Sequence, residues 1–176
     1  MSRQKWPKKI ISLKNLREID SISKVSSPIL LRKYEMQQAR LKKKNQQTPQ
    51  QKTLFHITEF SVAKKILKEG FRINFCKNKA FGKGIYFCET AQDTLTYSKN
   101  DKLKALLVCK VLIGRAHRNS SDVTKTIKNK DGSIYSKPLH MRPKRGFDSM
   151  YSNSKTKIWV IPASSRIRPQ YLILFK

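Results

Sequence analysis

The chain has 176 residues, of which 39 are Lys or Arg and 11 are Asp or Glu, giving a formal charge of +28. That length holds one domain with a sizeable core plus an extension, and no apolar run reaches the ~18 residues that a membrane-crossing helix needs. Cys76, Cys88 and Cys109 form no Cys-x-x-Cys pair and His117 and His140 fit no zinc spacing, so no metal site is expected.

Residues 1–52, with 14 basic and 3 acidic side chains, read as a basic N-terminal arm. Trp6-Pro7 and the apolar Ile10, Ile11, Leu13 and Leu16 would seat in grooves, and Pro28 to about Lys44 predicts a helix ending in a Lys-rich, Gln-rich stretch. Such a tail is floppy alone, so a partner is expected to order it. Residues 53–176 then read as one strand-rich α+β domain with short helices.

Leu54-Phe55 predicts a buried strand with His56 at its end, where the imidazole can donate or accept a hydrogen bond. Ser61 to Glu69 predicts a short amphipathic helix with Val62, Ile66 and Leu67 on one face, stopped by Gly70. Gly82 and Gly84 frame a tight passage into a short strand, Ile85-Tyr86-Phe87-Cys88. Thr90 caps a short helix running toward Ser98, which brings Tyr97 back toward Tyr86. Ala105 to Ile113 is a strand-like run ending at Gly114, and Thr124 to Arg145, basic and poor in apolar residues, reads as a solvated loop.

One histidine and two spaced tyrosines suit a pocket that grips a flat aromatic amide beside a ribose. Taken singly, each residue has a plainer reading: a lone histidine after a strand is more often structural, and Tyr86 alone would be core. Gly-x-Gly without a third glycine and a following helix is a weak dinucleotide fingerprint. Weight comes from the joint spacing of three separate segments.

Those segments resemble the catalytic domain of the poly(ADP-ribose) polymerase family of ADP-ribosyltransferases, over about Thr53 to Phe175. His56-Ile57-Thr58 stands at the family's His-Gly-Thr or His-Gly-Ser, and Gly82-Lys83-Gly84-Ile85-Tyr86-Phe87-Cys88 at its Gly-x-Gly-[hydrophobic]-Tyr-Phe-Ala strand. Thr94 and Tyr97 follow Tyr86 at the family's eight and eleven positions. Ile158-Trp159-Val160-Ile161 resembles the strand that the family opens with glutamate, and Pro169-Gln170-Tyr171-Leu172-Ile173 its Pro-x-Tyr-Leu-Ile strand. Phe147-Asp148-Ser149-Met150 and Asn153 resemble the Tyr-Asp-Ser-Cys and Asn of mono-transferring members, so the chain is most similar to the His-Tyr-Ile subgroup.

The resemblance implies an ADP-ribosyltransferase fold, a split sheet with short helices. It also implies that NAD is the substrate, held by His56, Ile57, Thr58, Tyr86, Thr94 and Tyr97, with His56, Tyr86 and Ile158 at the catalytic positions. His56 would bond a ribose hydroxyl, Tyr86 and Tyr97 would stack on nicotinamide, and Thr94 would reach the carboxamide. Isoleucine at 158 can neither stabilise a cationic sugar nor activate a hydroxyl for chain elongation, which implies transfer of a single ADP-ribose. The chain departs from the family at Ile57, where glycine is usual, so a β-branched side chain accompanies the backbone N–H and C=O that would meet the amide.

The charge adds a second reading. The excess extends beyond the arm, since residues 53–176 carry 25 basic and 8 acidic side chains. Such self-repulsion is relieved by an anionic partner, with RNA, DNA or an acidic protein filament such as tubulin as the candidates. The alternative to an enzyme is thus a catalytically silent subunit of this fold within a large anionic assembly, such as a ribonucleoprotein or a microtubule. Unpaired cysteines favour a reducing interior, so an intracellular site (cytoplasm, nucleus or organelle matrix) is expected.

Overall fold

A computed structural model describes residues 19–75, 81–97, 104–119, 124–128, 130–138, 142–152 and 156–175. The elements run β1 (Ile19–Lys24), α1 (Pro28–Asn45), β2 (Gln51–Glu59), α2 (Phe60–Glu69), β3 (Ile85–Cys88), α3 (Ala91–Leu95) and β4 (Lys104–Leu112). They continue with β5 (Ala116–Arg118), β6 (Thr124–Lys128), β7 (Ile134–Pro138), β8 (Ser149–Tyr151), β9 (Ile158–Ile161) and β10 (Ile167–Phe175). Eight strands form one mixed sheet in the order β1-β10-β4-β2-β3-β9-β8-β5. This is the expected strand-rich α+β architecture.

The run Ala105 to Ile113 lacks alternation because β4 is buried on both faces. Ala105, Leu107, Cys109 and Val111 join one core with Leu54, Phe87 and Trp159, and α2 covers it with Ala63 and Ile66. Leu106 and Val108 enter a second core with Phe55, Ala91 and Ile173. β2 is zipped to β4 along its whole length, from Gln51 opposite Leu112 to Glu59 opposite Lys104. Pro169 in β10 cannot donate to a ladder, and the register there slips between Pro169 and Tyr171.

Two readings of local pattern need correction. Val62 is 42% exposed and Ala63 is buried in its stead, while Ile66 and Leu67 pack on the core as expected. Thr124 to Arg145 is not all loop, for β6 and β7 form an antiparallel hairpin separate from the main sheet. Its signal was Asp131-Gly132, a strong hairpin-turn pair.

The segment expected as an arm contributes an edge strand and a helix to this same sheet. β1 pairs antiparallel with β10, Ile22 opposite Ile173. Ser27 caps α1 by accepting from the Leu30 N–H, with Pro28 in the first turn. Leu30, Tyr34 and Leu41 are its buried residues, and the Tyr34 hydroxyl donates to Gln51 Oε1 at 2.9 Å. Trp6, Ile10, Ile11, Leu13, Leu16, Cys76, Ser98, His140 and Asn153 lie outside the described residues.

Asp148 ties the end of α1 to the sheet. Its Oδ1 accepts from Lys44 Nζ at 2.6 Å and its Oδ2 from Asn45 Nδ2 at 2.7 Å and the Arg115 N–H at 2.9 Å. Its backbone carbonyl accepts from Arg166 Nη1. Gly114, at φ +56, makes room: a Cβ there would stand 2.5 Å from Asp148 Oδ2. Burial alone would raise this carboxyl, yet the donors from Lys44, Arg115 and Asn45 outweigh it and hold the group below the usual carboxylate range.

A carboxyl held low in the folded chain contributes stability that is present above its unfolded value and lost as pH falls through the folded one. Asp148→Ala is therefore expected to cost about 3 kcal/mol, the usual result of breaking a buried charged network. Urea midpoints measured at neutral and acid pH check this: the deficit against the parent is largest at neutral pH and shrinks as Asp148 protonates.

Candidate active site

β2 and β3 touch through a single register pair, Phe55 opposite Cys88. Past that pair toward the end of β2 the strands diverge, and a cavity of about 150 Å³ opens between them. It is lined by His56, Ile57, Tyr86, Thr94, Tyr97 and Ile158, with Phe55, Phe87 and Cys88 as its remaining walls. Six of the seven expected site positions therefore converge on one void. Thr58, opposite Ala105 on β4, stands outside the lining. Ligand pockets run about 300–1,000 Å³, so this volume suits one ring rather than a whole dinucleotide.

His56 is held from both sides. Its Nδ1 lies 2.8 Å from the Tyr86 carbonyl oxygen. That oxygen only accepts, so Nδ1 carries the hydrogen and Nε2 of the neutral ring presents a lone pair. Phe71 packs edge-on against the imidazole at 5.1 Å and Phe87 lies at 5.5 Å. Burial lowers the His56 pKa below 6.5, only partly opposed by the bond to Tyr86. The ring is thus neutral near pH 7, an acceptor suited to a hydroxyl.

Tyr86 is fixed by its own turn. Its hydroxyl donates to the Gly82 carbonyl at 2.7 Å and accepts from the Phe81 N–H at 3.0 Å. A Cβ on Gly84 would lie 2.7 Å from the Ile161 carbonyl, so glycine there lets the chain enter β3 tight against β9. Tyr97 is 48% exposed at the end of the turn after α3, and Thr90 caps α3 by accepting from the Asp93 N–H at 3.1 Å. Thr94 donates its hydroxyl to the Thr90 carbonyl at 2.7 Å, which leaves it an acceptor toward any ligand amide. Burial pushes the Cys88 thiol up to about 11, so it is a protonated wall rather than a nucleophile.

Ile57, the position that departs from the family glycine, is partly buried: it packs against the second core and also lines the cavity. Ile158 is 5% exposed and pairs with Cys88, which places an apolar side chain on the cavity wall. The sequence reading missed Phe71 and the pinning groups Phe81 and Gly82. Phe71 follows a helix stop and carries no local signal, whereas Phe81-Gly82 sat in the motif without an assigned partner.

The comparisons agree with the geometry. A family model described as the poly(ADP-ribose) polymerase catalytic domain matches residues 8–176. The chain is 31% identical over 99 residues to protein mono-ADP-ribosyltransferase PARP10 of Mus musculus, covering 53% of this chain and 10% of that protein. It is 28% identical over 166 residues to protein mono-ADP-ribosyltransferase PARP14 of Homo sapiens, covering 90% of this chain and 9% of that protein. The chain thus spans about a tenth of the length of these relatives.

The neutral imidazole is directly measurable. Proton–carbon NMR of histidine-labelled protein, assigned with His56→Gln, is expected to show His56 titrating below 6.5. Because the folded value lies below the unfolded one, acidification through that range destabilises the fold, and His56→Gln removes this contribution to the pH dependence.

Proposed function

This chain belongs to the poly(ADP-ribose) polymerase catalytic-domain family, and on that premise we propose that it is an NAD-dependent mono-ADP-ribosyltransferase. The observation that carries the reading is the cavity on which His56, Tyr86, Tyr97 and Ile158 converge. Nicotinamide lies between the two tyrosines, its carboxamide toward the Ile57 backbone and Thr94. His56 Nε2 accepts from a ribose hydroxyl and orients the sugar.

The C1′–N bond breaks and its electron pair passes to the pyridine nitrogen, so neutral nicotinamide departs. The sugar left behind is oxocarbenium-like, and a carboxylate oxygen of the target closes a new C1′–O bond. Ile158 supplies no charge and activates no hydroxyl, so the first ADP-ribose is not extended. Ile57 lines the cavity and also packs against the second core, so its side chain narrows the space that a glycine would leave, while its backbone N–H and C=O remain for the amide.

A second reading, a silent subunit on a nucleic acid, is favoured by one observation on α1. Ile29, Lys33, Met36, Arg40 and Lys43 follow helical spacing along one exposed flank. Ile29 and Met36 are 64% and 65% exposed, so apolar as well as cationic groups face outward there.

With radiolabelled NAD and mass spectrometry, the parent is expected to place single ADP-ribose units on protein, and His56→Ala or Tyr86→Ala to lose at least tenfold. Polymer, or no NAD binding in any form, overturns the transferase reading. For the second reading, RNA binding is expected to fall steeply with salt and about tenfold further in K33E/R40E/K43E. Binding to polymerised tubulin without RNA binding would replace the nucleic acid by an acidic filament.

A further inference from the structure

A second cavity lies on the other side of the Phe55–Cys88 pair. It measures about 420 Å³ against about 150 Å³ for the first, and runs between Gln51–Phe55 on β2 and Glu89–Ala91 on the chain leaving β3. Phe55 lines both. The two cavities are thus successive openings along one gap in the sheet.

Among the described residues the wall formed by β2 is an unfilled strand edge. On its far side Gln51–Leu54 pair with Leu112–Cys109 of β4, while among the described residues no strand pairs with them on the cavity side. In an antiparallel strand alternate residues direct N–H and C=O to each edge, so this wall offers a short ladder over about 13 Å. That matches about four residues of an extended chain.

The charges at this opening do not balance. Lys52 Nζ and Lys157 Nζ lie 3.1 and 3.7 Å from the same oxygen, Glu89 Oε1. Both ammonium groups also stand over the Trp159 ring, at 5.3 and 5.4 Å, while the indole N–H donates to Glu89 at 2.9 Å. Two cations share one carboxylate on a rigid aromatic base, which leaves one positive charge for a ligand. The side chains are 33% and 37% exposed, within reach of an incoming anion.

We infer that this groove docks the ADP-ribose acceptor as an extended acidic segment of the target protein, which adds a strand to the free edge of β2 and sets a carboxylate against Lys52 and Lys157. The inference rests on the transferase reading for its consequence: Cys88, bridged to Phe55 on one edge, pairs with Ile158 on the other. A segment running along β2 toward that pair therefore carries its next acidic side chain toward the wall that lacks one. The enzyme's missing carboxylate is replaced by the one to be modified, selected by charge before it arrives. Main-chain pairing supplies affinity and the two lysines supply selection, the usual division of labour in strand addition.

The probe is a fluorescein-labelled peptide, Gly-Glu-Val-Glu-Val-Glu-Gly, with a Lys-for-Glu counterpart as control. Anisotropy is read without NAD, and NAD affinity and peptide modification are measured separately. The acidic peptide is expected to bind and its Lys counterpart not to; K52E/K157E is expected to weaken binding and raise the peptide KM about tenfold, with NAD affinity unchanged. Lys52→Gln with Lys157→Gln, a milder pair, is expected to act in the same direction. Lys64→Glu on α2 controls for net charge. Equal loss in Lys64→Glu, or no loss in either lysine pair, overturns the groove. Peptide binding without NAD binding would sink the transferase reading and leave the groove standing. NAD turnover with peptide binding indifferent to both lysines would do the reverse.

Discussion

A single backbone pair, Phe55 against Cys88, governs this molecule's chemistry. β2 is committed to β4 along nine residues and β3 to β9 along its whole length, so each strand already has a full set of partners on one side. Had β2 and β3 also zipped together, their inner edges would have been filled and the sheet would have been continuous. They meet once instead, and the gaps on either side of the meeting point are the two cavities.

Holding such a gap open requires that its edges be stiff. His56 spans it through Nδ1 to the Tyr86 carbonyl, which replaces a ladder bond with a side-chain one and leaves Nε2 with a lone pair. Tyr86 cannot swing, because its hydroxyl is engaged by the turn at Phe81 and Gly82. The stiffness is the functional point: a ring amide meets groups already in position, so little ordering entropy is lost on binding. Further out, Asp148 ties α1 and Arg166 to the sheet and β1 pairs with β10, so these two elements ahead of β2 are part of the scaffold.

Much of the site was legible in order along the chain. Tyr86, Thr94 and Tyr97 sit on a strand, a capped turn of helix and its end, where local signals such as Thr90 and the Gly82-Lys83-Gly84 passage are strong. Asp148 was legible as a motif residue but not as a clasp, since its partners Lys44, Asn45 and Arg115 are distant in sequence and unremarkable in type. On α2 only Val62 was misplaced, because a small residue such as Ala63 carries too weak an apolar signal to be favoured over it. The hairpin at 124–138 was hidden by its lysines, which carry no alternating apolar face.

Residue spacing determined the family resemblance and the set of side chains eligible for the site, and composition the basic character, because each is a property of the chain before it folds. Tertiary structure decided what those side chains face. The side chain of Ile57 goes to the second core because strand alternation opposes it to His56, and the cavity exists because two strands with other commitments fail to pair. Neither outcome is local: each depends on which strand lies alongside β2, and that is settled by the packing of the whole sheet.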